Sequence, residues 1–98
     1  GENTMKKYEL MTIYPCEDEK FNNGIETVRK VLADFGAKIE KEESFGDRNL
    51  TYVINKMNRG RYVLIHIEAN PAKIAEIDVQ FKLNTNLLRY MFVAKEEK

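Results

Sequence analysis

The sequence predicts an α+β fold in which a four-stranded antiparallel sheet carries two helices on one face. Apolar residues alternate along four segments of the chain and recur at helical spacing along two others. The segments run in the order strand, helix, strand, strand, helix, strand, and a right-handed crossover through each helix places both helices on the same face. This is the ferredoxin-like split βαβ arrangement (βαββαβ), with the first and third strands in the middle of the sheet and the second and fourth at its edges.

The first strand and first helix are predicted from the amino-terminal third of the chain. Apolar and polar residues alternate from Lys6 to Tyr14, and Pro15 ends the strand because it cannot donate a ladder hydrogen bond. Helical spacing follows, and Gly36 stands where a C-terminal glycine cap is expected. The start of this helix is predicted only to within a few residues, because residues 22–24 are poor helix formers. Its apolar positions are Phe21, Ile25, Val28, Leu32 and Phe35.

Two extended segments come next. Residues 37–56 form a long stretch whose first half is charged and whose second half alternates at Leu50, Tyr52 and Ile54. Gly46 is a candidate bulge or bend within this stretch. Residues 57–60, with the sequence MNRG, are predicted to form a turn into a third strand at residues 61–68.

The second helix and the last strand complete the pattern. Asn70 is a good helix N-cap, and Pro71 fits the first helical position because its missing N–H would be unpaired there anyway. Ile74, Ile77 and Phe81 give this helix one apolar stripe. The sequence LNTN then ends the helix, and residues 87–93 are predicted to form the fourth strand.

Length and composition favour one folded domain. A chain of 98 residues suits a single modest core, which we expect to span residues 5–95. We expect residues 1–4 to be an expression remnant or a disordered start, and residues 96–98 to be a polar tail. No apolar run approaches the roughly 20 residues that cross a bilayer, and the sequence shows no signal peptide. A single cysteine allows no internal disulfide, so the reducing cytoplasm is the expected location.

The charge balance limits how this chain binds nucleic acid. The 16 basic residues equal the 16 acidic residues, which gives a formal net charge of zero. A protein that binds nucleic acid by counterion release alone usually has a clear basic excess. If RNA is the target, then charge must be sorted by face or supplied by a partner.

The stretch RGRYVLIHIE, from Arg59 to Glu68, is similar to a central strand of RNA-recognition motifs. In those motifs two aromatic side chains on this strand stack on bases. The corresponding positions here are Arg61 and Val63, which share a face with Ile65 and Ile67 because side chains alternate across a strand. The stretch is therefore predicted to be a core strand with a charged entry, not a stacking platform.

Four segments in order carry a family resemblance. MKKYELMTIY, FGAKIEKEESFGDRNLTYVINK, GRYVLIHIEA and LNTNLLRYMFV resemble segments of the bacterial small-subunit ribosomal protein S6 family, over residues 5–95. The resemblance implies the same split βαβ fold, no enzymatic activity and no cofactor. It also implies a heterodimer with the basic ribosomal protein S18, which binds the central domain of small-subunit ribosomal RNA on the cytoplasmic ribosome. Two positions depart from the family pattern, Val53 where proline is common and Asn49 where a basic residue is usual.

Basic residues are the candidates for RNA contact. Lysines at the start of the first strand, together with cations around the predicted hairpin, suit phosphate binding, although exposed charges of this kind often serve only solubility. A charged side chain within the last strand must either have an ion-pair partner or be exposed to solvent. It is therefore expected to pair with an acidic residue or to face RNA or a protein. The candidate RNA-binding residues are Lys6, Lys7, Lys56, Arg59, Arg61 and Arg89.

The charged second strand is the candidate surface for the partner protein. It is an edge by topology, and charges on an edge block self-association, so we expect the isolated chain to be a monomer. The same charges are suited to a basic partner. The candidate interface residues are Glu40, Glu42, Glu43 and Arg48.

No catalytic or metal site is predicted. His66 lacks a second ligand or base partner in the sequence pattern and is expected on the open side of the sheet, and Cys16 has no candidate base. Acylphosphatases share the fold, but the first loop, PCEDEK, is acidic where a phosphate would bind. The remaining alternative is an ACT-like regulatory domain that binds a small molecule at a subunit interface, although this first loop lacks the early glycine of such domains.

Overall fold

The computed structural model describes residues 5–54 and 56–95 and has the predicted order of elements. The sheet order is β2-β3-β1-β4, and all three strand pairs are antiparallel. The split βαβ prediction is confirmed, with the first and third strands in the middle of the sheet. The elements are β1 (Lys6–Tyr14), α1 (Asp18–Asp34), β2 (Lys38–Ile54), β3 (Met57–Ala69), α2 (Ile74–Lys82) and β4 (Arg89–Ala94).

The hydrophobic core lies between the two helices and one face of the sheet. The strands contribute alternate side chains, and each helix contributes one apolar stripe, because both kinds of element have only one face to bury. We call the opposite side of the sheet, which carries no helix, the open face. Side chains in the core with 1% exposure or less include Leu10, Tyr14, Val28, Leu32, Ile65, Ile67, Ile77 and Phe81.

The helix ends follow the predicted local chemistry. Gly36 adopts a φ of +77°, and the N–H groups of Gly36 and Ala37 donate to the carbonyls of Ala33 and Leu32. This closes α1 with the paired hydrogen bonds of a glycine cap. Asn70 accepts a hydrogen bond of 2.9 Å from the backbone N–H of Ala72, and so caps a short 3-10 turn (Pro71–Lys73) that leads into α2.

The hairpin between β2 and β3 differs from the prediction. The Gly46 bulge is confirmed by a register shift between Ser44 and Gly46 and by a φ of +76°. The turn predicted at residues 57–60 is wrong, because β3 already begins at Met57, which pairs with Ile54. Lys56 takes the left-handed conformation that a tight hairpin requires, with a φ of +66°. A non-glycine residue therefore makes the turn, and MNRG is the start of the strand.

Gly60 allows a close approach within this strand. A Cβ at Gly60 would lie 2.4 Å from Cγ2 of Ile13 and 3.3 Å from Cδ2 of Leu50. Both distances are below ordinary van der Waals contact, so the glycine lets neighbouring side chains lie directly on the backbone. The conspicuous glycine of the RGRYVLIHIE stretch thus has a packing role.

The prediction that RGRYVLIHIE is a core strand is confirmed. Val63, Ile65 and Ile67 are at most 2% exposed and belong to the hydrophobic core under the helices. Side chains buried in this way cannot stack on a base. Among the described residues, no helix is long and apolar enough to cross a membrane.

Candidate nucleic-acid and protein interfaces

The middle of the open face is apolar. Register places Met11 of β1 between Leu64 of β3 and Met91 of β4, and all three side chains point away from the helices. Met91 is 59% exposed. Beside them lies a groove of about 460 Å³, lined by Met11, Phe45, Arg48, Asn49 and Tyr62. An exposed apolar surface on a sheet face is typical of a protein-binding surface.

One end of the open face is charged, and its charges are paired. Nε2 of His66 lies 2.6 Å from Oε2 of Glu43, and Nζ of Lys95 lies 2.8 Å from Nδ1 of the same ring. Because an ammonium only donates, Nδ1 accepts from Lys95 and Nε2–H donates to Glu43. The hydrogen bond from His66 holds the pKa of Glu43 below its usual value. The predicted placement of His66 on the open face is confirmed.

Glu42, the neighbour of Glu43, faces the helices instead. Nε and Nη2 of Arg29 on α1 donate to its two carboxylate oxygens, over 2.9 Å and 2.7 Å. These hydrogen bonds hold the pKa of Glu42 below its usual value. The Glu42 side chain is only 26% exposed, so this carboxylate is occupied by the chain's own helix. Of the other predicted interface residues, Glu40 lies 3.8 Å from Lys7, and Arg48 lines the open-face groove.

Arg61 lies at the centre of an internal ion cluster. Its guanidinium donates to Asp47 over 2.7 Å, to Asp18 over 3.0 Å and to the Cys16 carbonyl over 3.0 Å. The group also lies 4.8 Å from the centre of the Phe21 ring. The Arg61 hydrogen bond lowers the pKa of Asp47, and burial raises the pKa of the Cys16 thiol. Arg61 therefore joins β2 and β3 to the start of α1, a role that the sequence pattern did not reveal.

The cations at the tip of the hairpin, unlike Arg61, are not held by carboxylates of the described residues. Lys56 and Arg59 line a groove of about 310 Å³ next to Cys16 and Glu17. Within residues 5–54 and 56–95, neither cation forms an ion pair, and the same is true of Lys6. These three predicted RNA-binding residues are thus available to external anions.

The last predicted RNA-binding residue, Arg89, meets a residue from the opposite edge of the sheet. Its guanidinium lies 5.0 Å from the centre of the Tyr52 ring and donates a hydrogen bond to the Tyr52 hydroxyl. Tyr52 belongs to β2 and Arg89 to β4, which are the two outer strands. The sequence pointed to Arg89 as a candidate cation, but it marked Tyr52 only as one residue of an alternating strand. The register shift that brings the two side chains together gave no signal in the sequence.

The described residues include no cluster of three or more His, Cys, Asp or Glu side chains arranged to hold a metal ion.

The family profile and the curated relatives that match this chain belong to one family. The family profile described as Ribosomal protein S6 matches residues 7–94. The small ribosomal subunit protein bS6 of Treponema denticola is 52% identical over 93 residues, which cover 95% of this chain and 100% of that protein. The bS6 protein of Borrelia hermsii is 38% identical over 94 residues, or 96% of this chain and 72% of that protein. The crystal structure of 30S ribosomal protein S6 from Thermotoga maritima matches with a TM-score of 0.83 and 25% identity, covering 94% of this chain and 89% of that chain.

Proposed function

The chain belongs to the ribosomal protein S6 family, and from that premise we propose that it binds the central domain of small-subunit ribosomal RNA jointly with ribosomal protein S18. Members of this family are non-enzymatic proteins of the small ribosomal subunit, so the chain acts in the cytoplasmic ribosome. Family membership also replaces the two alternatives, an ACT-like regulatory domain and an acylphosphatase.

The observation that carries the proposal is the separation of unpaired from paired cations. Lys6, Lys56 and Arg59 have no ion pair within the described part of the chain, whereas Arg61 is neutralised by Asp47 and Asp18. Unpaired cations can replace counterions on phosphates, and paired cations can do so only after giving up their carboxylate. RNA contact is therefore assigned first to Lys6, Lys56, Arg59 and Arg89, with Lys7 and Arg61 contributing less.

The need for a partner follows from the net charge of zero. A handful of cations neutralises few phosphates, which gives weak binding at physiological salt. A basic partner supplies the remaining contacts. The open face supports its docking, because an apolar middle lies beside carboxylates at Glu40 and Glu43 that complement basic side chains.

The individual interface residues differ in how well they support this role. Glu43 and Arg48 face the open side of the sheet, and Glu40 is bound only loosely to Lys7, at 3.8 Å. Glu42 is held by Arg29 and is assigned to fold stability more than to the interface. The proposed partner surface is therefore the open face and the adjoining edge of β2.

Joint binding tests the proposal directly. A fragment of the ribosomal RNA central domain is titrated with this protein, with S18, and with an equimolar mixture, across a series of salt concentrations. We expect weak binding by either protein alone and specific binding by the mixture. Replacing Lys6 and Lys7 together with glutamine should lower the salt slope of the mixture by about one unit for each phosphate that these lysines neutralise. Tight, salt-steep binding by this protein alone would refute the proposal.

A further inference from the structure

The second strand contains a large bulge close to its end. Asn49 pairs with Arg59 and Ile54 pairs with Met57, so residues 50–53 lie opposite Asn58 alone. Four residues facing one cannot continue the ladder, and the extra chain must leave the plane of the sheet. We call residues 50–53 the β2 bulge.

The β2 bulge lies over the open face. Leu50, Tyr52 and Ile54 line one small pocket together with Ile13 and Arg89. Ile13 points to the open face by register, yet it is only 7% exposed. The bulge thus covers this part of the central strand and carries Tyr52 across to the far edge of the sheet.

The side chain of Tyr52 is more exposed than those of the tyrosines in the core. It is 57% exposed, whereas Tyr8 and Tyr14 are at most 9% exposed. Tyr90 packs against Phe81, with ring centres 5.2 Å apart. Among the described residues Tyr52 forms no aromatic ring pair, although Tyr62 lines the same pocket, and it is held by the Arg89 guanidinium through ring contact and a hydrogen bond. The protein therefore fixes the orientation of an aromatic ring and leaves it accessible to solvent.

The charge around this ring favours an anionic ligand. Arg48, Lys56, Arg59 and Arg89 all lie on or next to the β2 bulge in sequence or in space, and none forms an ion pair within residues 5–54 and 56–95. An exposed aromatic ring beside arginine and lysine is the combination that binds single-stranded nucleic acid. The ring stacks on a base, and the cations contact the phosphates on either side.

We propose that the β2 bulge is a nucleotide subsite, in which an unpaired RNA base stacks on the Tyr52 ring and Arg89 binds the adjoining phosphate. This inference rests on the proposed function, because it assigns one contact within the RNA complex. Stacking needs only a π-face, so the site recognises an unpaired nucleotide as a class and does not select one base. The stacking residue that RGRYVLIHIE lacks on β3 is thus supplied by the neighbouring strand.

Stacking and charge give different signatures in a salt series. Tyr52→Leu removes the ring and leaves every charge in place, so we expect the affinity of the protein–S18 mixture for the RNA fragment to fall about tenfold at every salt concentration, with an unchanged slope. Tyr52→Phe keeps the ring and should recover most of that affinity. Val53→Ala is the matched control in the same bulge, since it removes exposed aliphatic atoms but no ring, and it should bind as the unmodified protein does.

A second measurement separates stacking from a structural role. In the complex containing the unmodified protein, the ring protons of Tyr52 should shift upfield on RNA binding, because a stacked base shields them. The inference is overturned if Tyr52→Leu binds as tightly as the unmodified protein, if Tyr52→Phe is as weak as Tyr52→Leu, or if the ring protons do not shift. If the unmodified mixture does not bind the RNA fragment, the proposed function itself fails, and the two failures are distinguishable.

Discussion

The charged half of β2 and the hairpin end that follows it hold their charges in different ways. In the charged half, Lys38–Asp47, the carboxylates of Glu42, Glu43 and Asp47 accept hydrogen bonds from Arg29, His66 and Arg61. In the hairpin end, residues 48–59, the cations Arg48, Lys56 and Arg59 form no ion pair within the described part of the chain. A chain with no net charge therefore has a local cationic excess at the hairpin end, because the nearby carboxylates of Glu42, Glu43 and Asp47 are held by other side chains.

Side chains alternate between the two faces of β2, and this alternation gives the neighbouring residues Glu42 and Glu43 different partners. Glu42 pairs in register with Ile65 and points to the helices, whereas Glu43 pairs with Leu64 and points to the open face. Arg29 holds the Glu42 carboxylate with two hydrogen bonds, and His66 holds the Glu43 carboxylate with one, on the open face. Of two consecutive acidic residues on a strand, one can therefore stabilise the packing of a helix while the other faces the open side of the sheet.

Removing Glu42 should have the largest effect on stability. Glu42→Ala deletes both hydrogen bonds to Arg29, and charge-assisted pairs of this geometry lead us to expect a decrease of roughly 1–2 kcal/mol in the free energy of unfolding. Urea denaturation measures it. Glu43→Ala is the matched control one position away, and it should change the unfolding midpoint less because it removes one hydrogen bond from His66, whereas Glu42→Ala removes two from a guanidinium. Equal decreases from the two variants would contradict the comparison.

The Glu42–Arg29 ion pair also predicts how the free energy of unfolding depends on pH, an effect of intermediate size. The pKa of Glu42 is lowered in the folded state by Arg29, from an ordinary value of 4.5. The pair therefore contributes stability that is present above the ordinary pKa and disappears as the pH falls through the lowered one. The free energy of unfolding should fall more steeply on acidification for the unmodified protein than for Glu42→Gln. Parallel curves would show that the Arg29 hydrogen bonds contribute nothing to the acid sensitivity.

We expect substitutions on the exposed edge of β2 to change association more than stability. Replacing Glu42 and Glu43 with apolar residues should promote self-association, since a flat apolar edge invites strand pairing, and should slow capture of S18. The double variant also removes the hydrogen bonds to Arg29, which confounds the result. Glu43→Val alone is therefore the cleaner test, with sedimentation for self-association and stopped-flow mixing against salt for capture. If Glu43→Val stays monomeric and captures S18 at an unchanged rate, then this edge neither prevents self-association nor binds S18.

Most of the fold was predictable because it depends on local patterns. Alternation located β1 and β3, helical spacing located both helices, and the Gly36 and Asn70 caps were correctly assigned. The hairpin turn was misplaced because the sequence signal favoured the glycine at position 60, whereas Lys56 adopts the required positive φ. Gly60 is instead required by the close approach of Ile13.

The candidate interfaces were less predictable, because they depend on contacts between distant segments. The sequence identified the charged residues but not their partners. Arg61 meets Asp18 across 43 positions, and Arg89 meets Tyr52 across 37. Whether a cation is neutralised or available follows from those contacts and from the register of the β2 bulge, and neither is encoded in any short motif.

The salt dependence of RNA binding shows whether the unpaired hairpin cations carry the phosphate contacts. The variant Lys56→Gln/Arg59→Gln removes two unpaired cations, and Lys30→Gln/Lys73→Gln removes two that already pair with Asp34 and Glu76 on the helices. Both double variants change the net charge equally. With S18 and the RNA fragment present, we predict that the first lowers the slope of log K against log salt by roughly 1.5 to 2 units and that the second leaves it unchanged. Equal reductions, or no reduction from the hairpin pair, would contradict the assignment of RNA contact to unpaired cations.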